Sequence, residues 1–275
     1  MTTENPHPDI ILADTITKLG PEAKGAVIVS SSHGGRYAGY LALKAAPRAF
    51  ILNDAGVGKD QAGIASLAQA ERAGVAAATL SHLTCRIGDA ADMMARGIVS
   101  HVNARAQALG VSPGMSGRDA AMRLLAAKPS GKMPEPIAEA RRVLREPGWQ
   151  RTIVVLDSIS LVRPEDAGQI VVSASHGALV GGKPETALKV DGFAGVFSDA
   201  GLGIDNCGVT RLPALDARGI AGITVSARSA RIGEGLSVYQ DGIISHVNQT
   251  AAKLGAVPGE ALQPRLLKWA ILAKV

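Results

Sequence analysis

Aromatic residues make up only 3% of the 275-residue chain: two Trp, three Tyr and three Phe. Single-stranded nucleic acids are gripped by aromatic stacking platforms as well as basic grooves, so this scarcity weighs against such a partner. Cysteine is nearly as rare. Cys85 and Cys207 offer neither a disulfide framework nor the paired spacing of a zinc site. No stretch of roughly 18 apolar residues could form a membrane-spanning helix. The opening MTTENPHPD has no basic region followed by an apolar one, so no secretory leader is expected. The formal net charge of +5 is modest, and much of the excess sits in KPSGKMPEPIAEARRVLREPGWQR, residues 128–151, rather than along a face. These absences lead us to expect a soluble, cytoplasmic protein that handles a small anionic molecule. Nucleic acid and membrane are not expected as partners, and a homo-oligomer stays open.

With hydrophobic residues at 47% and so few aromatics, the core has to be built from Ala, Val, Ile and Leu. The chain also contains itself twice. Pairing each position with the one 143 further on matches DTIT (14–17) with DSIS (157–160), and SSSHGG (30–35) with SASHGA (173–178). After a shift to 145, NDAGVGKD (53–60) matches SDAGLGID (198–205), CRIGD (85–89) matches ARIGE (230–234), and GIVSHVN (97–103) matches GIISHVN (242–248). Over 79–110 against 224–255, 14 of 32 positions are identical, where shared composition alone would give roughly one in ten. The expected fold is α/β: two tandem homologous βαβαβ-type repeats, 1–127 and 151–275, with mainly parallel sheets packed about a pseudo-twofold axis. A proline-rich charged linker with a short helix, 128–150, joins them.

Within the first repeat, GAVIVSS (25–31), RAFIL (48–52) and VAAATLS (75–81) read as strands. YAGYLALKAA reads as a helix, and so does DQAGIASLAQAERAG, with Asp60 as its N-cap and Gly74 at its end. Apolar residues at helical spacing predict amphipathic helices over GIVSHVNARAQALG and its copy. His101, His246, Asn103 and Asn248 would lie on their flanks in structural roles.

In a parallel α/β sheet, ligands bind beyond the carboxyl ends of the strands, where the SSSHGG motif falls. Ser32 and His33 are the candidate nucleophile and general base, with Asp54 orienting the imidazole and Lys59 as a further catalytic candidate. Ser30, Gly34 and Gly35, with Ser175 and His176 of the copy, are candidates for substrate binding, the glycine amides serving a developing oxyanion. Asp199 is the copy of Asp54. Arg86, Arg228 and Arg231 offer planar forks for an anionic group. Each also has a plain architectural alternative: a turn for the histidines and aspartates, a salt bridge for the arginines. The spacing matches neither the dinucleotide fingerprint nor the phosphate loop, and no metal or cofactor is expected.

Because Lys59 faces Ile204 and His82 faces Ala227, the site is expected to be composite, with chemistry from the first repeat and anion binding reinforced by Arg228 and Arg231 of the second. The leading expectation is hydrolysis of an amide, ester or lactam. A lyase or isomerase acting next to a carboxylate through His33 and Lys59, and a non-catalytic small-anion binder or regulator, are the alternatives.

Overall fold

The computed structural model describes residues 7–273; residues 1–6, which begin the stretch read for a leader, lie outside it, as do 274–275. In the first half the order is β1 (Ile10–Ala13), β2 (Val27–His33), α1 (Arg36–Lys44), β3 (Ala49–Asn53), α2 (Ser66–Ala73), β4 (Ala76–Leu80), α3 (Ala90–Arg96), β5 (Val99–Val102), α4 (Ala104–Ala108) and α5 (Gly117–Leu124). The second half runs β6 (Arg141–Leu144), β7 (Ile153–Leu156), β8 (Ile170–His176), β9 (Ala194–Ser198), α6 (Arg211–Asp216), β10 (Ala221–Val225), α7 (Gly235–Asp241), β11 (Ile244–Val247), α8 (Gln249–Lys253) and α9 (Leu262–Ile271). The architecture is mixed α/β with two sheets, β1-β2-β3-β4-β5 and β6-β7-β8-β9-β10-β11. All neighbours are parallel except β4–β5, β6–β7 and β10–β11. Among the described residues no helix is long and apolar enough to cross a membrane.

The strands β2, β3 and β4 are apolar on both faces because helices cover both. Val27, Val29, Ile51 and Ala78 pack with α3 and α5, whereas Ile28, Phe50, Leu52 and Ala77 pack with α1 and α2. The second sheet is sandwiched in the same way, with Trp269 of α9 in one layer and Phe197 in the other. A smaller apolar cluster, Ala55, Ile87, Ala178, Ala200, Cys207 and Ile232, joins the halves.

Three local expectations are corrected. GIVSHVN is not helical: Val99–Val102 and Ile244–Val247 are antiparallel edge strands, and a short helix begins only after Asn103 or Asn248. Those asparagines stand in extended backbone, accept the amides of Ala106 and Ala251 at 3.0 and 2.8 Å, and so cap the helices. Asp60 does not cap α2. It lies in left-handed backbone (φ 52°) in a turn before the helix, and Ala65 holds the cap position. The 128–150 segment carries a strand, β6, rather than a helix, because its backbone completes the open edge of β7.

A cavity between two histidine bulges

Register is lost at the end of β2. Val29 pairs with Ile51 and His33 with Asn53, so four steps along β2 match two along β3. β8 does the same between Val172 and His176. A bulge of this kind re-aims side chains, and here it turns both members of Ser32–His33, and of Ser175–His176, into one cavity of about 260 Å³ between the halves. Strand alternation alone would have sent neighbours to opposite faces.

Each of the two hydroxyls already accepts one backbone amide and keeps its own O–H free to donate. Ser32 Oγ accepts the Ile16 amide at 2.9 Å and Ser175 Oγ accepts the Ile159 amide at 3.0 Å, which leaves each O–H to point elsewhere. Nδ1 of His33 accepts the Gly35 amide at 3.1 Å. A ring nitrogen that accepts carries no proton, so the neutral ring bears its hydrogen on Nε2. Burial lowers the His33 pKa to about 4; the ring keeps a little solvent contact through the cavity, but protein atoms crowd it on every other side. His176 is also held well below its ordinary value, by burial first, then by the Arg211 charge and by His33, with a weak backbone contact from Ala178 opposing. Its Nδ1 is buried without a hydrogen bond of ordinary geometry. Each imidazole reaches the opposite half: a Cβ on Gly233 would lie 3.3 Å from His33 Cε1, and one on Gly88 3.6 Å from His176 Cε1. No protein group bonds Nε2 of either ring among the described residues.

Arg211 lies behind this floor, 1% exposed. It donates to the carbonyls of His176, Thr186 and Ala187, and burial draws its pKa down to about 10. The cavity wall carries Tyr37 from α1 and Glu139 from the segment before β6. Burial raises the Glu139 pKa and Asp157 adds to the rise, against contacts from the Tyr37 and Ser158 hydroxyls. Tyr37 is raised in turn by burial and by Glu139. Asp157 anchors this segment by accepting the Ala140 amide at 2.7 Å and the Gly235 amide at 2.8 Å. The mouth is formed by exposed Thr17, Lys18, Ser160, Glu185 and Lys189.

The other residues singled out in the sequence stand elsewhere. Ser30 is buried and accepts the Ser32 amide at 3.4 Å, within the bulge. The amides of Gly34 and Gly35 are already used, by Asn53 O at 2.7 Å and by His33 Nδ1. Asp54 bonds the His82 ring at 2.8 Å, the His82 amide at 2.9 Å and the Gly56 amide at 3.2 Å, and does not orient His33. Burial pushes its carboxyl upward, but the His82 bonds outweigh this and hold it below the ordinary range. Asp199 accepts the Gly201 and Ala227 amides, each at 2.9 Å. Lys59 pairs with Asp241 at 2.9 Å, Arg86 with Asp205 at 2.8 Å, and Arg231 with Glu234 at 2.6 Å and Asp60 at 2.8 Å. Arg231 lines a neighbouring pocket with Tyr37 and Glu139. Arg228 is exposed.

Four of the residues named from sequence therefore meet at the cavity: Ser32, His33, Ser175 and His176. Sequence reasoning missed Glu139, Tyr37, Arg211 and the mouth lysines. The DTIT and DSIS repeats, which cap the turns beside the cavity through Thr15 and Ser158, were visible as a repeat without a sign of what they line. Among the described residues no group of three or more His, Cys, Asp or Glu is placed to hold a metal ion. Comparison of the chain with protein-family models, with curated proteins and with solved structures gave no match.

Proposed function

We propose that this chain is an enzyme that binds a small anionic molecule in the cavity between its halves and moves a proton next to a carbonyl or carboxylate, as a lyase or isomerase does. We further propose that the halves, 1–127 and 151–275, arose by tandem duplication and close about a pseudo-twofold axis. In support, contacts between them come in matched pairs: Lys59 N to Ala227 O and Ile204 N to His82 O, each 2.8 Å, and Arg86–Asp205 with Arg231–Asp60, each 2.8 Å.

The observation that carries the chemical reading is the Gly35 amide on Nδ1 of His33. It makes the imidazole a neutral Nε2–H donor at pH 7 rather than a base. With the hydroxyls of Ser32 and Ser175 it forms a floor of donors, backed by the Arg211 charge, where an oxygen that gains negative charge is stabilised without reorganisation. Glu139, whose pKa burial raises, is the proton acceptor. The proton leaves carbon for a Glu139 oxygen as charge develops on the oxygen held by the floor. Its return to a neighbouring carbon is isomerisation, and departure of a leaving group is elimination.

Hydrolysis through Ser32 finds less support, since His33 has no free lone pair toward the serine and the glycine amides are engaged elsewhere. The test is exchange of C–H for C–D in D2O, followed by NMR over a panel of 2-oxo and 2-hydroxy carboxylates of three to six carbons. Wild type should exchange or convert at least one member. Glu139→Gln should still bind it, with exchange reduced by about a hundredfold or more, and His33→Ala should lose both. Exchange untouched in Glu139→Gln would overturn the mechanism, and saturable binding without exchange would favour a non-catalytic anion binder.

A further inference from the structure

The mouth of the cavity carries two lysines, one from each half, whose ammonium groups are unpaired among the described residues. Lys18 is the last residue of the turn capped by Thr15, and Lys189 follows the turn at Pro184–Thr186; both are exposed, and neither ammonium makes an ion pair or hydrogen bond among the described residues. Repetition of sequence does not account for their meeting. Lys18 aligns with Leu161, and Lys189 lies in a stretch that the first half does not match. Non-equivalent positions have therefore supplied one cation from each half to a single opening. Of the three carboxylates lining the cavity, Asp157 is occupied by two backbone amides and Glu139 is in contact with the Tyr37 hydroxyl, which leaves Glu185 against the two lysines; Lys18 also borders a second pocket with Asp14 and Glu22.

We infer that the substrate is a compact dianion, with one anionic group on the donor floor of Ser32, His33 and Ser175 and the second between Lys18 and Lys189. This deepens the proposed function and rests on the same cavity. At about 260 Å³ the cavity lies at the small end of ligand pockets, which suits two charges a few carbons apart. Two cations at the rim also draw a dianion from solution more strongly than a monoanion, an effect that salt screens.

Calorimetric titration with carboxylates matched in length, butyrate against succinate and valerate against glutarate, tests this directly. Wild type should bind the dicarboxylate of at least one pair about tenfold more tightly than its partner, as a charge-assisted contact predicts. That ratio should fall toward one in Lys18→Met and in Lys189→Met, and at high salt. Equal affinity within both pairs, or a preference that survives both substitutions, would overturn the dianion while leaving the floor in place. No binding by any of the four would remove the floor and the dianion together.

Discussion

Protonating His33 is harder in the folded protein than in the unfolded chain. Its pKa falls from 6.5 to about 4 on folding because the ring is buried. Between those values the unfolded chain holds a proton that the folded chain refuses. Stability therefore falls as the pH drops from about 6.5 toward 4, and is independent of this group above that window. His176, depressed for the same reason, adds to the slope. Urea midpoints measured from pH 7 to pH 4.5 should decline, and less steeply in His33→Gln, which does not titrate there. An identical slope in the variant would mean that His33 is not held neutral, and the donor floor would go with it. Above pH 6.5, turnover should show no inflection from this histidine.

Among the elements, those whose signal is local were legible in the sequence. The apolar runs at 25–31, 48–52 and 75–81 are the strands β2, β3 and β4, displaced by at most a few residues. Gly74 ends α2 in left-handed backbone at φ 79° as expected. GIVSHVN misled because Val99 and Val102 satisfy a helical spacing while the same residues serve an edge strand. The residue that decides between these readings is Asn103, through bonds that are long-range in sequence. Its Oδ1 accepts the Ala77 and Ala106 amides, each at 3.0 Å, and its Nδ2 donates to Val75 O at 2.8 Å. Asn248 repeats the arrangement on Gly222, Ala251 and Ile220. Asn103→Ala leaves a strand amide and a carbonyl buried without partners and should cost about 2–4 kcal/mol, read from urea unfolding; a loss below about 1 kcal/mol would show that the cap alone, not the bridge to β4, is at work. The cavity was half legible for a related reason. Matching the repeats points to what both copies keep, which located Ser32, His33, Ser175 and His176. Glu139, Lys18 and Lys189 are unmatched, and nothing in a sequence says which unmatched residue folds over a given bulge.

For the molecule as a whole, the halves meet backbone on backbone at Gly56 and Gly201. Gly56 and Gly201 hold φ of 77° and 79°, and a Cβ on either would lie 2.7 Å from the Cα of the other. Their neighbours Val57 and Leu202 also sit in left-handed backbone, at φ 60° and 66°, a conformation that side chains resist. Strain of this kind persists only where the surroundings fix it, and here the bonds from Lys59 N to Ala227 O and from Ile204 N to His82 O clamp both loops. The Arg86–Asp205 pair across the same boundary is exposed, its side chains 45% and 46% accessible, and such pairs contribute about 0–1 kcal/mol each. Docking should therefore depend on the glycines and hardly on the charges. The two tryptophans offer a way to see this, since Trp269 lies in the core of the second sheet and half-buried Trp149 packs against it, so their fluorescence reports that half while far-UV circular dichroism reports both. In wild type the two unfolding curves should coincide. Gly56→Ala, which adds a clash to left-handed strain, should lower stability by about 3 kcal/mol or more and pull the curves apart, whereas Arg86→Ala with Arg231→Ala should shift both together by about 1–2 kcal/mol at most. Coincident curves at an unchanged midpoint in Gly56→Ala would mean that the halves are not held at this contact, and a cavity shaped by both would lose its structural basis.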